Sequence, residues 1–207
     1  MKLKQFTLTA IFVSIILLFA FTPIGFIHLG IIKATIIHIP VIIGSIVLGP
    51  KLGAVLGFSF GMTSLVTNTL TPSLLSFAFS PVIPVLGTNQ GSFWALFIAF
   101  VPRVLLGIIP FFLYKMLASV MKRKESEKAP LFIAGLVATF IHTFLVMGAI
   151  SILFYDAYAL AIEAGSIQAI VIAVLTVFLT NGLAEALLAA LISATVVPPL
   201  VKLSKEK

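Results

Sequence analysis

The chain has 207 residues, 61% of them hydrophobic, only 9% charged and none cysteine, whereas a soluble domain carries roughly 25% charged residues. This composition excludes an ordinary cytosolic enzyme, a disordered chain, a disulfide-built secreted scaffold and a thiolate metal site. It is that of a polytopic, all-α integral membrane protein, and at about 20 apolar residues per helical span the length holds about six spans, with no room expected for a second, soluble domain.

The first span is expected over Gln5–Phe21. Lys2 and Lys4 ahead of it resemble the start of a signal peptide, but the chain runs on into Thr22-Pro23-Ile24-Gly25 without a small-residue cleavage site, so the span is expected to be retained. A polar interruption, Thr22 to Gly30, precedes a second span expected from about Ile31 to Leu48, and Gly49-Pro50-Lys51 allows only a tight turn before a third, Leu52 to Asn68. Thr69 to Ser92 is broken by Pro72, Pro81 and Pro84 yet carries Leu74, Leu75, Phe77 and Phe79, which suits a lid-like loop between helices 3 and 4. Further spans are expected at Phe93–Met121, Pro130–Tyr155 and Ile167–Val201, with a dense charge run, residues 122–128, between the fourth and fifth.

The basic residues set the orientation. With both termini on one side, that side collects Lys2, Lys4, Lys51, Lys115, Lys122, Arg123, Lys124, Lys128, Lys202, Lys205 and Lys207, which is 11 of the 13 Lys and Arg residues. By the positive-inside rule both termini are cytoplasmic. The net charge of +7 is then a topology signal and not a nucleic-acid footprint. The two basic residues left over are Lys33, at the outer start of the second span, and Arg103, inside the fourth.

Polar side chains within spans carry the chemical information, because a charge at the bilayer centre costs roughly 2.5–3.5 kcal/mol on insertion scales. Counted from cytoplasmic markers at the helical rise, Arg103, His142, His38, Asn68 and Glu185 all fall at about 18–26 Å in a core of about 30 Å. Asn181 lies one turn outward of Glu185 on the same face. Polarity confined to the outer half describes a cup open to the outside, whereas a channel is lined along its whole length. Arg103 follows Pro102, whose missing N–H frees a carbonyl and loosens the helix. A guanidinium there, beneath a lid, suits a carboxylate or other anionic group, with Lys33 at the rim and Trp94 and the lid phenylalanines covering the apolar part of a small ligand. Bland readings stand beside these: Arg103 and Glu185 as a mutually neutralising ion pair, His38 and His142 as packed histidines, Asn68 and Asn181 as helix–helix contacts.

Small residues at four-residue spacing, Gly53, Gly57 and Gly61 in the third span and Gly182, Ala186, Ala190 and Ala194 in the sixth, allow close helix approach within the bundle. Ala10 and Ser14 form a shorter version on the first span, near the cytoplasmic surface, where a partner's helix has room to dock. Nucleotide, dinucleotide and zinc-protease motifs are absent from the sequence. Gly57-Phe58-Ser59-Phe60-Gly61 matches the G-x-S-x-G pattern, but that elbow needs a strand–turn–helix and this copy falls within a helix, about 12 Å from the inner boundary. An intramembrane serine hydrolase using Ser59 and His142, and a stand-alone facilitator, are the readings from other functional classes.

The stretch from Lys33 through His38-Ile39-Pro40, Gly49-Pro50-Lys51-Leu52-Gly53-Ala54 and Gly57 to Leu65 resembles the substrate-binding S components of energy-coupling factor (ECF) vitamin transporters. Thr63-Ser64-Leu65, Asn68-Thr69, Pro72, Ser76 to Pro81 and Pro102-Arg103 are most similar to the pantothenate type. The resemblance implies a single transmembrane substrate-binding domain over residues 1–207 in a bacterial-type plasma membrane. It implies capture of pantothenate or another small vitamin or precursor from outside, and a partnership with a membrane coupling subunit and two cytoplasmic ATPases. ATP and magnesium would be used by those partners, with no cofactor in this chain. The family's small-residue contact on the first span falls on Ala10 and Ser14, with Ser in place of the second Ala. Pantothenate has a carboxylate for Arg103, and an amide and hydroxyls for Asn68, His142 and Asn181.

Overall fold

The computed structural model describes residues 3–29, 32–122 and 127–205, and of residues 26–29, 32–34 and 203–205 the backbone only. The topology markers Lys2, Arg123, Lys124 and Lys207 lie outside the described residues. The fold is that of an α-helical membrane protein: helices α1 (Leu3–Phe21), α2 (His38–Leu48), α3 (Pro50–Leu70), α4 (Trp94–Val120) and α5 (Lys128–Leu153) are followed by short α6 (Tyr155–Ala161), then α7 (Ile167–Val177) and α8 (Leu183–Lys205). Among the described residues four helical segments, α1, α4, α5 and the run from Ile167 to Lys202, are long and apolar enough to cross a membrane. The outer faces agree with a lipid solvent. Phe93, Ile152, Phe144, Leu179 and Ile172 are each more than 60% exposed, an apolar surface that water would not tolerate.

The second expected span is corrected. Residues 26–29 and 32–35 form an antiparallel hairpin, β1 and β2, pairing Phe26 with Thr35 and His28 with Lys33, and helix begins only at His38. Pro40 explains the boundary: a helix running in from residue 31 would need an N–H at position 40 to bond the Ile36 carbonyl, and proline has none. In the first turn of α2 that N–H is not required. The 11 residues of α2 are too few to cross a bilayer, and nine of them, His38 to Ile46, are buried. The short helix therefore forms the axis of the bundle, surrounded by α1, α3, α4 and α8.

Only Gly49 separates α2 from α3. Its φ of 90° lies in the region that glycine alone enters without strain, and Pro50 takes the first position of α3. The glycines of α3 then do what their spacing suggests. A β-carbon at Gly53 would strike the Gly107 carbonyl, one at Gly57 the Arg103 carbonyl, and one at Gly61 would sit 2.7 Å from the Phe100 ring. The backbones of α3 and α4 thus meet along this stripe. On the other side Gly135 of α5 faces Ala189 and Ala190 of α8, with Ala186, Ala189 and Ala190 fully buried.

The connection from α3 to α4 has a single helical turn, Ser76–Ala78, and lies folded onto the bundle. Phe77 and Ala78 are buried with Ile98, Ile150, Phe154 and Tyr158, so this loop packs against the α5–α6 corner. The expected last span is also interrupted: between α7 and α8 the chain makes a wide π turn, Phe178–Gly182. Such turns place an extra residue in the helix and recur at functional sites.

Candidate functional site

Arg103 is 6% exposed although it lies in a membrane-spanning helix, and its surroundings follow from Pro102. A proline at 102 leaves the carbonyl of Ile98, four residues earlier, without its helical donor. Arg103 folds back and donates Nη1 to that carbonyl at 2.5 Å. Nη2 makes a long 3.5 Å contact with Ser64 Oγ, and buried Nε has no hydrogen-bond partner. The guanidinium lies over the Phe79 ring at 4.8 Å and the Phe60 ring at 5.6 Å, contacts that are favourable for a desolvated cation.

From Phe60 a line of rings leads across the bundle. Phe60 of α3 lies 6.0 Å from His142 of α5, and His142 stacks on His38 of α2 at 6.5 Å with the planes 10° apart. His142 is within electrostatic range of Arg103, and His38 of Glu185. The buried Nε2 atoms of both histidines have no hydrogen-bond partner. The structure therefore brings Arg103, His142, His38 and Glu185 into one layer from four helices, as their shared depth suggests.

Arg103 and Glu185 stand at opposite ends of this layer and do not neutralise each other. Glu185 Oε1 accepts from the Thr35 backbone N–H at 2.7 Å and the Thr35 hydroxyl at 2.6 Å, which ties the β-hairpin to α8. Asn68 also has work other than facing a ligand. Its Nδ2 donates to the Ser64 carbonyl at 2.8 Å and its Oδ1 accepts from the Ser76 hydroxyl at 2.7 Å, joining helix to loop. Asn181 sits in the π turn, half-buried, with the Thr180 hydroxyl 3.4 Å from its Oδ1, and the turn packs against β2 and α5.

Trp94 is placed elsewhere. It is 55% exposed and stacks edge-on against Phe97. Nine residues at about 100° each put it on the face of α4 opposite Arg103. The lid aromatic at the site is Phe79 instead. Lys33 is on β2, with its side chain outside the described residues. Ala10 and Ser14 are both exposed on α1, where Ser14 Oγ donates to the Ala10 carbonyl at 2.9 Å.

Phe79 is one of the lid phenylalanines that the sequence points to, whereas sequence reasoning misses Phe60, Ser64 and Thr35 as site residues. Two are within its reach: Phe60, Ser64 and Asn68 follow one another at four-residue spacing, so one helical face carries all three. Thr35 is hidden by the expected helix, since only the hairpin turns it toward Glu185. Ser59, beside Phe60, is an ordinary helical serine donating to the Val55 carbonyl at 2.9 Å. Ser59→Ala is accordingly expected to leave ligand binding unchanged and to shift stability by less than about 0.5 kcal/mol, as a melting curve with and without ligand would show.

A buried arginine whose Nε has no partner, the buried His38, the half-buried His142 and the Phe60 and Phe79 rings thus meet at mid-bundle, a cationic and aromatic cluster inside an apolar protein. Residues 4–197 match the family model described as ECF transporter, substrate-specific component, and the chain belongs to that family. It is a transport subunit of a multi-pass membrane protein class and not an enzyme. Among curated relatives it is similar to the pantothenic acid transporter PanT of Lactococcus lactis subsp. cremoris (strain MG1363), with 39% identity over 173 residues covering 83% of this chain and 79% of the relative.

Proposed function

We propose that this chain captures pantothenate outside the cell and delivers it inward as the substrate-specific subunit of an ECF-type importer. The observation that carries the reading is the state of Arg103. With Nη1 given to the Ile98 carbonyl, the Nε–Nη2 edge remains to face a ligand, and that edge matches the two oxygens of a carboxylate. His142 and His38 offer nitrogen atoms to the amide and hydroxyl groups, with Asn181 at the periphery, and Phe60 and Phe79 supply apolar walls. Asn68 and Glu185 serve here by holding the loop and the hairpin that surround the ligand, and Lys33 adds attraction at the rim. The name of the Lactococcus relative supports the choice of vitamin.

In this reading residues 1–207 form one transmembrane unit in the plasma membrane with cytoplasmic termini and six membrane segments, the second of which is made by the β-hairpin and the short α2 together. A membrane coupling subunit docks at the Ala10 and Ser14 face of α1, and two cytoplasmic ATPases supply the energy from ATP and magnesium. The test is direct. Purified protein is expected to bind radiolabelled pantothenate stoichiometrically, and unlabelled pantothenate to compete at least tenfold better than pantothenol, which carries an alcohol in place of the carboxylate. Equal competition by the two would remove the Arg103–carboxylate assignment. Binding of another vitamin with none of pantothenate would remove the substrate.

A further inference from the structure

The last turn of α3 and the α3–α4 loop are joined by two side-chain hydrogen bonds that ligand contact does not account for. Ser76 Oγ donates to Asn68 Oδ1 at 2.7 Å, and the hydroxyls of Thr69 and Ser80 lie 2.7 Å apart. Asn68 and Thr69 are consecutive on the helix, and Ser76 and Ser80 are both fully buried. Ser76 is held further by the Ser73 backbone N–H, which donates to its oxygen at 2.8 Å. Between these two fastenings the chain carries Phe77, seated edge-on against Phe154 at 5.5 Å, and Phe79, which lies on the Arg103 guanidinium. The buried donors and acceptors satisfy one another only when the loop is closed, so the seam specifies that one position and no neighbouring one.

We propose that this seam is the latch of the site. Asn68 and Thr69 are positioning residues that hold Phe79 against Arg103, and an anionic ligand reaches or leaves the Nε–Nη2 edge only when the Asn68–Ser76 and Thr69–Ser80 bonds part. Phe77 keeps the loop anchored at the α5–α6 corner, so parting the seam swings the 76–80 segment away from α3 without releasing it from the bundle. The ligand side of the proposal rests on the functional reading above; the latch itself rests on the hydrogen bonds.

The chain contains no cysteine, which makes the test clean. The two hydroxyl oxygens are 2.7 Å apart, so the side chains at 69 and 80 meet tip to tip, and Thr69→Cys/Ser80→Cys is the pair chosen to lock the latch by oxidation and release it by reductant. Two readouts are taken on the full chain: modification of Arg103 by phenylglyoxal, followed by mass spectrometry, and release of preloaded radiolabelled pantothenate. Oxidation is expected to slow both at least tenfold, and reductant to restore both. Asn68→Ala and Ser76→Ala are each expected to speed Arg103 labelling severalfold, the double variant no more than either alone, while Ser76→Thr, which keeps the hydroxyl, labels like the parent.

Equal labelling rates in oxidised and reduced protein, or unchanged labelling in Asn68→Ala and Ser76→Ala, would overturn the latch. If the paired cysteine variant does not fold, the single substitutions decide. Redox-gated labelling in a protein that binds no pantothenate would keep the latch and remove the vitamin, whereas pantothenate binding that ignores the disulfide would keep the vitamin and remove the latch.

Discussion

Arg103→Ala is expected to weaken pantothenate binding roughly 30- to 5,000-fold, which is the 2–5 kcal/mol typical of removing one partner from a buried, hydrogen-bonded charge pair. Two losses combine. The carboxylate would be left in an apolar surround with no counter-charge, and Phe79 and Phe60 would lose the cation that gathers them. Arg103→Lys is expected to recover little of this, since an ammonium group has no fork to share between the Ile98 carbonyl and a carboxylate. Equilibrium binding to the purified variants measures the effect, and a melting curve without ligand separates it from loss of fold. The empty variants are expected to remain folded, because neutralising a charge that costs free energy to bury offsets much of the lost packing. Arg103→Ala protein that binds pantothenate as the parent does would place the ligand elsewhere.

Gly57→Ala is expected to affect binding as well as stability, and Gly53→Ala stability alone. At both positions an added methyl group meets backbone on α4 that has no rotamer to change: the Arg103 carbonyl and Val104 Cα at Gly57, the Gly107 carbonyl at Gly53. Overpacking of this kind costs about 1–3 kcal/mol, so both variants should melt several degrees below the parent. The difference lies in what moves. At Gly57 the displaced backbone is that of Arg103 itself, and a shift of a few tenths of an ångström there disturbs the donor edge. Gly53 is four residues away, about 6 Å along the helix, and its partner Gly107 carries no site side chain. Melting temperature and pantothenate affinity measured on both variants test this, and equal losses of affinity would show that the glycine stripe acts only in packing.

Much of the site's composition is legible in the sequence. Arg103, His142, His38 and Glu185 are marked by being polar at one depth in apolar helices, and burial in lipid makes such residues rare enough to read singly. Pro102 announces the freed carbonyl, though nothing in the sequence shows that Arg103 itself takes that bond. The expectations that the structure redirects share a cause. Residue type points Asn68 and Trp94 toward a ligand, but an amide bonds to whatever lies within reach, here Ser64 and Ser76, and the 100° step of its helix carries Trp94 to the outer face. The hairpin is hidden because a short, largely apolar run with several isoleucines suits strand as well as helix, and periodicity does not separate the two over so few residues.

The sequence by itself determined the membrane, the helical class and the scarcity of charge that points to Arg103, because composition and depth act on each residue separately. Only the tertiary structure decided which polar groups are spent on one another. Glu185 went to Thr35 across 150 positions of sequence, Asn68 to the loop, and Arg103 in part to its own helix, leaving Nε and the two histidine nitrogens unpaired at the centre. Hydrogen bonds depend on position to within a few tenths of an ångström, and it is the close approach of α3 and α4 on glycine that sets those positions.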